Sequence, residues 1–159
     1  MYHKVLVPLD GSELAEGALP EVIKLCRGGI VGEVIVLRVN EIEVLTVPKA
    51  YDRSIDFTAL RNARRIESLQ YLESVRSRLL ADGIKVSTEL LEGRPEEKIV
   101  DYARNCSVDL IVIGTHGYTG MKRLMFGSVA LQVLHDAHVP VLLVRPKAYQ
   151  QWDRPEKQG

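Results

Sequence analysis

The sequence predicts an α/β fold, a doubly wound five-stranded parallel sheet sandwiched by four helices. Five short aliphatic runs alternate with four segments of helical period. Runs such as "LIVI" and "VLLV" are apolar throughout rather than alternating, as strands covered on both faces must be. Gly or Pro marks several of the junctions.

The elements follow in order. "KVLVPLD" (4–10) is the first strand, and the helix after it carries Ala15, Ala18, Leu19, Val22, Leu25 and Cys26 at helical spacing before Gly28-Gly29 closes it. Pro20 lies inside that helix and is expected to kink it, or to break its hydrogen-bond ladder locally. "EVIVLRVN" (33–40) is the second strand. Residues 41–57 show no sustained period and read as a long connection. From 58 to 81, Ile66, Leu69, Leu72, Val75 and Leu79 form one stripe of a long amphipathic helix ending at Asp82-Gly83. "IKVSTELLEG" (84–93) is the third strand. In 94–106, Pro95 takes a first helical position, with Glu96 and Glu97 where negative charge suits the helix dipole. "VDLIVIG" (108–114) is the fourth strand, 127–137 the fourth helix and "VPVLLVR" (139–145) the fifth strand, with a loose tail over 147–159.

Lys plus Arg and Asp plus Glu number 21 each, so no net field favours nucleic acid or an acidic membrane, and neither partner is expected. The N-terminal apolar stretch is too short for a signal core or a membrane span, so a cytoplasmic location is expected. Cys26 and Cys106 lie far apart on apolar helix faces and read as small core residues rather than a disulfide or metal pair.

In doubly wound sheets the ligand crevice lies beyond the carboxyl ends of the strands, where the winding reverses; this points to Asp10 and to Gly114 onward. There the chain reads "GTHGYTGMKRLMFGS". Gly114 ends a strand, and Gly127-Ser128 opens a helix whose first amides lack intrahelical partners at the positive end of the dipole. Glycines let backbone N–H groups approach a ligand, and the Ser128 hydroxyl can donate to phosphate. Composition alone leaves open that the glycines only turn the chain and Ser128 only caps a helix. No GxxxxGK[ST] or GxGxxG motif is present, which excludes the two commonest phosphate cradles.

Gly114, Gly117, Gly127 and Ser128 meet the spacing G-x2-G-x9-G-[ST] in full. With "VLVPLDGSE", "GRPEEKIVDYA" and "VPVLLVR", the chain resembles the ATP-binding branch of the universal stress proteins over residues 1 to about 146, one domain. The resemblance implies an adenine-nucleotide alpha hydrolase-like fold with strand order 3-2-1-4-5. It implies that Asp10 meets the ribose, Pro8 sits against the nucleotide and Val39 reaches adenine through its backbone. It gives the triphosphate to Gly114, Thr115, His116, Gly117, Gly127, Ser128 and Val129. ATP, or AMP, is the implied ligand, with Mg²⁺ held mainly by the phosphates and Asp10 the one protein ligand the sequence offers. Tyr118 departs from the basic residue often found there, so no side-chain charge contact is expected at that position. Lys122 and Arg123 in the same loop read as solvated. The last strand would be an apolar sheet edge, and the resemblance implies a homodimer through it, at Val141 and Leu143.

Other signals read as structural. His135 and His138 lack a third metal ligand and suit a helix C-terminus, and Arg61, Arg64 and Arg65 read as a solvated helix face. The expected function is nucleotide-dependent regulation in a stress response, with at most slow hydrolysis. The alternative is an ATP hydrolase or nucleotidyl transferase, for which only Asp10 and His116 are candidate groups. A phosphoryl-receiver domain would need an aspartate after the third strand, where this chain has "LLEG".

Overall fold

The computed structural model describes residues 1–42, 56–115 and 127–145. In chain order they form β1 (Tyr2–Pro8), α1 (Glu13–Glu16), α2 (Leu19–Arg27), β2 (Val31–Asn40), α3 (Phe57–Ala81), β3 (Val86–Glu92), α4 (Pro95–Asn105), β4 (Leu110–Gly114), α5 (Ser128–Asp136) and β5 (Val141–Val144). The strands make one sheet in the order β3-β2-β1-β4-β5, every neighbouring pair parallel. Most of the connection over 41–57 and the tail over 147–159 lie outside the described residues.

The continuous apolar strands are explained by the pleat. Val5, Val7, Val34, Val36 and Val112 face one layer, where they pack with Val22 of α2 and Leu72, Val75 and Leu79 of α3. Their alternates Leu6, Ile35, Leu37, Ile111 and Ile113 face the other, against Ile99, Val100 and Ala103 of α4 and Ala130 and Val133 of α5. Each Val, Leu or Ile among them contributes roughly 1.5–3 kcal/mol on full burial. The chain winds from β1 outward to β3, crosses to β4 and winds outward again, so the reversal falls between β1 and β4. No helix among the described residues is long and apolar enough to cross a membrane.

Two expectations are made definite by the structure. Of the two outcomes expected at Pro20, a kink or a local break in the hydrogen-bond ladder, the break occurs, and the first helix is two, α1 and α2. Ser12 Oγ caps α1 by accepting from the Ala15 N–H at 3.1 Å, and α1 then closes within one turn. A continuous helix would set the Pro20 ring against the Glu16 carbonyl; instead the helix restarts with Pro20 in its first turn, where a missing N–H costs nothing.

The stripe of α3 is also different. Leu72, Val75 and Leu79 are buried, but Ile66 and Leu69 are 56% and 45% exposed. Ser68 occupies the seam instead, fully buried, its hydroxyl donating to Asn40 Oδ1 at 2.8 Å. A helix of 25 residues is about 37 Å long, whereas a seven-residue strand spans about 23 Å. The N-terminal part of α3, residues 57–67, therefore stays exposed beyond the sheet. Arg61 and Arg64 lie on that stretch, paired with Glu92 at 2.6 Å and the Glu41 carbonyl at 3.2 Å, as a solvated face would be.

The cysteines are free and only partly buried. Cys26 packs against the α2–α3 core, where burial pushes its thiol up, and Cys106 caps the end of α4.

Candidate functional site

Pro8, Asp10, Val39, Gly114 and Thr115 all come to the carboxyl edge of the sheet, on or just past the ends of β1, β2 and β4. Pro8 is buried and pairs with Leu37, and Val39 pairs with Leu91 on the far side of β2. Past Leu9, whose N–H still donates to the Leu37 carbonyl at 2.8 Å, the chain leaves the sheet at Asp10. Gly11 takes a φ of +89°, open to glycine at little cost, and Asp10 Oδ1 accepts the Ser12 N–H at 2.9 Å. This turn holds the Asp10 carboxylate at the mouth of the crevice, exposed.

Across the reversal, Gly114 is buried at the end of β4. A Cβ there would stand 3.0 Å from the Leu14 carbonyl oxygen and 3.3 Å from that of Ala15. This glycine is thus needed for the seating of α1 on β4, a structural demand beside any approach to phosphate. The Thr115 N–H donates to the Val144 carbonyl at 2.9 Å, and its hydroxyl to the same oxygen at 3.4 Å. Thr115 therefore joins β4 to β5, and its amide is not available to a ligand in this arrangement.

Gly127 is the N-cap of α5, with Ser128 and Val129 the first residues of the helix and no side-chain cap bond at its start. Its φ of −68° and ψ of 152° suit any residue, so conformation alone does not call for glycine at 127. His116 and Gly117 lie outside the described residues, as do Tyr118, Lys122 and Arg123.

Among the described residues no group of three or more His, Cys, Asp or Glu could hold a metal. His138 stands 2.9 Å from Arg104, and His135 pairs with Asp136 at 2.6 Å near the C-terminus of α5. A cavity of about 260 Å³ lies at the opposite end of the sheet, lined by Cys26, Arg27, Glu33, Asp82 and Lys85 among others, away from all these positions.

Residues 1–145 match the sequence model of the universal stress protein family. The chain belongs to that family. Universal stress protein MJ0531 of Methanocaldococcus jannaschii is 32% identical over 147 residues, covering 91% of this chain and 83% of that one. Universal stress protein YxiE of Bacillus subtilis is 31% identical over 149 residues, 91% of this chain and all of the other. Among solved structures, that of MJ0577, also from M. jannaschii, superposes with a TM-score of 0.73 at 32% identity, covering 91% and 96%. A family member from Arabidopsis thaliana, solved with AMP bound, has a TM-score of 0.70 at 18% identity over 98% and 97%, a likeness of fold. The adenine-nucleotide alpha hydrolase-like fold is thereby shown for this universal stress protein.

Sequence reasoning passed over two residues of this neighbourhood, Arg38 and Tyr71. The signal for Arg38 was a lone charge in the otherwise apolar strand "VIVLRVN". Its guanidinium carbon lies 5.1 Å from the centre of the Tyr71 ring. The Tyr71 hydroxyl donates to Glu16 Oε1 at 2.9 Å; burial first, and this bond after it, push its pKa well above the usual phenol range.

Proposed function

We propose that this universal stress protein binds an adenine nucleotide, ATP with Mg²⁺ or AMP, in the crevice between the ends of β1 and β4, and acts as a nucleotide-dependent regulator. The observation that carries the reading is the G-x2-G-x9-G-S spacing, whose two ends fall on the β4 terminus and the α5 N-terminus at the winding reversal. Asp10 stands opposite for the ribose, with Pro8 and Val39 beside it for the base. Gly127, Ser128 and Val129 offer amides and a hydroxyl to the phosphates, completed by His116 and Gly117 of the loop. The AMP-bound plant protein gives the fold a precedent for such a ligand.

Slow hydrolysis at most is expected. One oxygen of Asp10 is engaged by the Ser12 N–H, which suits holding a ligand better than removing a proton from water. The regulator works as a homodimer joined along β5, in the cytoplasm.

The test is calorimetric titration of nucleotide-stripped protein with Mg·ATP, AMP and GTP, beside Gly127→Val. The backbone at 127 accepts valine, so the variant should fold, while its branched Cβ would stand where phosphate must approach the α5 amides. Saturable, adenine-selective binding that disappears in the variant is expected. Equal binding by both proteins would refute the cradle.

A further inference from the structure

The two sides of the crevice rest on a common support. Gly11 lies against Arg38, whose Nη1, Cζ and Nη2 stand 3.3, 3.5 and 3.6 Å from where a Cβ at Gly11 would project. The guanidinium fills the space a side chain at 11 would take, and its central carbon lies over the Tyr71 ring. Tyr71 is fixed in turn: Glu16 accepts its hydroxyl and, through Oε2, Arg78 Nη2 at 2.8 Å. Glu16 belongs to α1, whose Leu14 and Ala15 carbonyls press on Gly114. Thus α3 braces the Asp10–Gly11 turn through Arg38, and braces α1, with the end of β4 beneath it, through Glu16.

We propose that Arg38, held on the Tyr71 ring, is a positioning residue that fixes the Asp10–Gly11 turn for the ribose of a bound adenine nucleotide, an inference that rests on the function proposed above. Arg38 acts through the turn rather than on the phosphates. Its charge lies over a ring and against the Gly11 backbone, on the layer that α2 and α3 cover, whereas α5 covers the other.

The experiment measures affinities of the parent, Arg38→Gln and Arg38→Lys for Mg·ATP, AMP, adenosine and 2′,3′-dideoxy-ATP, with the melting temperature of each protein. Arg38→Gln is expected to weaken ATP, AMP and adenosine by a similar factor, about fivefold. Lys should not restore binding, because a compact ammonium cannot cover Gly11 and lie over the Tyr71 ring at once as the broad guanidinium does. The penalty should largely vanish for the dideoxy ligand, which has no ribose hydroxyls for Asp10 to hold. A loss that grows with phosphate number and is restored by Lys would overturn the proposal in favour of direct charge contact. So would a lowered melting temperature with unchanged affinity, or an undiminished penalty for the dideoxy ligand. If the parent binds and Arg38→Gln binds equally, this inference alone fails; if the parent binds no adenine nucleotide, the function reading fails and takes this inference with it.

Discussion

At the scale of single residues, three helices of this protein end in the same way with different chemistry. After α2 and α3, Gly29 and Gly83 take φ of +68° and +76°, and the next amides, of Ile30 and Ile84, donate back to the Leu25 and Leu79 carbonyls at 3.1 Å. This six-to-one closure is a Schellman end. After α4 the left-handed position is held by Ser107 at φ +54°, with the Val108 amide donating to the Ala103 carbonyl at 3.0 Å. A Cβ in that conformation costs roughly 1–2 kcal/mol, partly offset in a glycine variant by its larger unfolded-state entropy. Ser107→Gly is therefore expected to stabilise the fold by about 0.5–1 kcal/mol, read as a higher urea midpoint at constant slope. Nucleotide affinity should not change, since Ser107 lies at the opposite edge of the sheet from Asp10. The "GG" and "DG" pairs announced two of these stops in the sequence; "CS" did not, because strain at a serine is visible only as a dihedral.

At the scale of elements, the join between β1 and β4 is narrow. Two residue pairs are in register, Val5 with Leu110 and Leu6 with Ile111. A side chain extends it: Asp109 Oδ2 accepts the His3 and Lys4 amides at 2.6 and 2.9 Å. The Lys4 amide first, against an opposing effect of burial, and then the His3 amide hold the Asp109 carboxyl below its ordinary 3.8. A carboxyl depressed on folding stabilises the native state above the unfolded pKa, and the contribution fades as pH falls below about 4 and through the lower folded value. Asp109→Asn should thus be less stable than the parent in urea at pH 7, and the gap should narrow as the pH is lowered towards 3. A constant gap would mean that the carboxylate's charge contributes nothing. The same scale explains the division of α1 from α2, where proline geometry overrides a stripe of apolar residues that reads as one helix.

For the whole molecule, the exposed side of β5 is the feature that bears on assembly. The Pro140 and Val144 carbonyls accept from Ile111 and Thr115 of the β4 side, so by alternation the backbone groups of Val141 and Leu143 point outward. An apolar edge of this kind pairs or is covered, which supports the proposed dimer. Val141→Pro removes one outward N–H at the first residue of the strand, a place proline tolerates. Light scattering should find this variant monomeric with an unchanged far-ultraviolet spectrum; a dimer of undiminished stability would place the interface elsewhere. The sequence by itself determined the family, the five strands and their parallel pairing, because those depend on local period and on two-sided burial, and its glycine spacing is what the proposed phosphate site rests on. Only the tertiary structure decided that Gly114 seats α1, that the Thr115 amide belongs to β5, that Ser68 replaces Ile66 and Leu69 in the α3 seam, and that Arg38 lies between Gly11 and Tyr71. Each of these is a contact between residues remote in sequence, set by where helices cross the sheet, and no local pattern of residues encodes such a crossing.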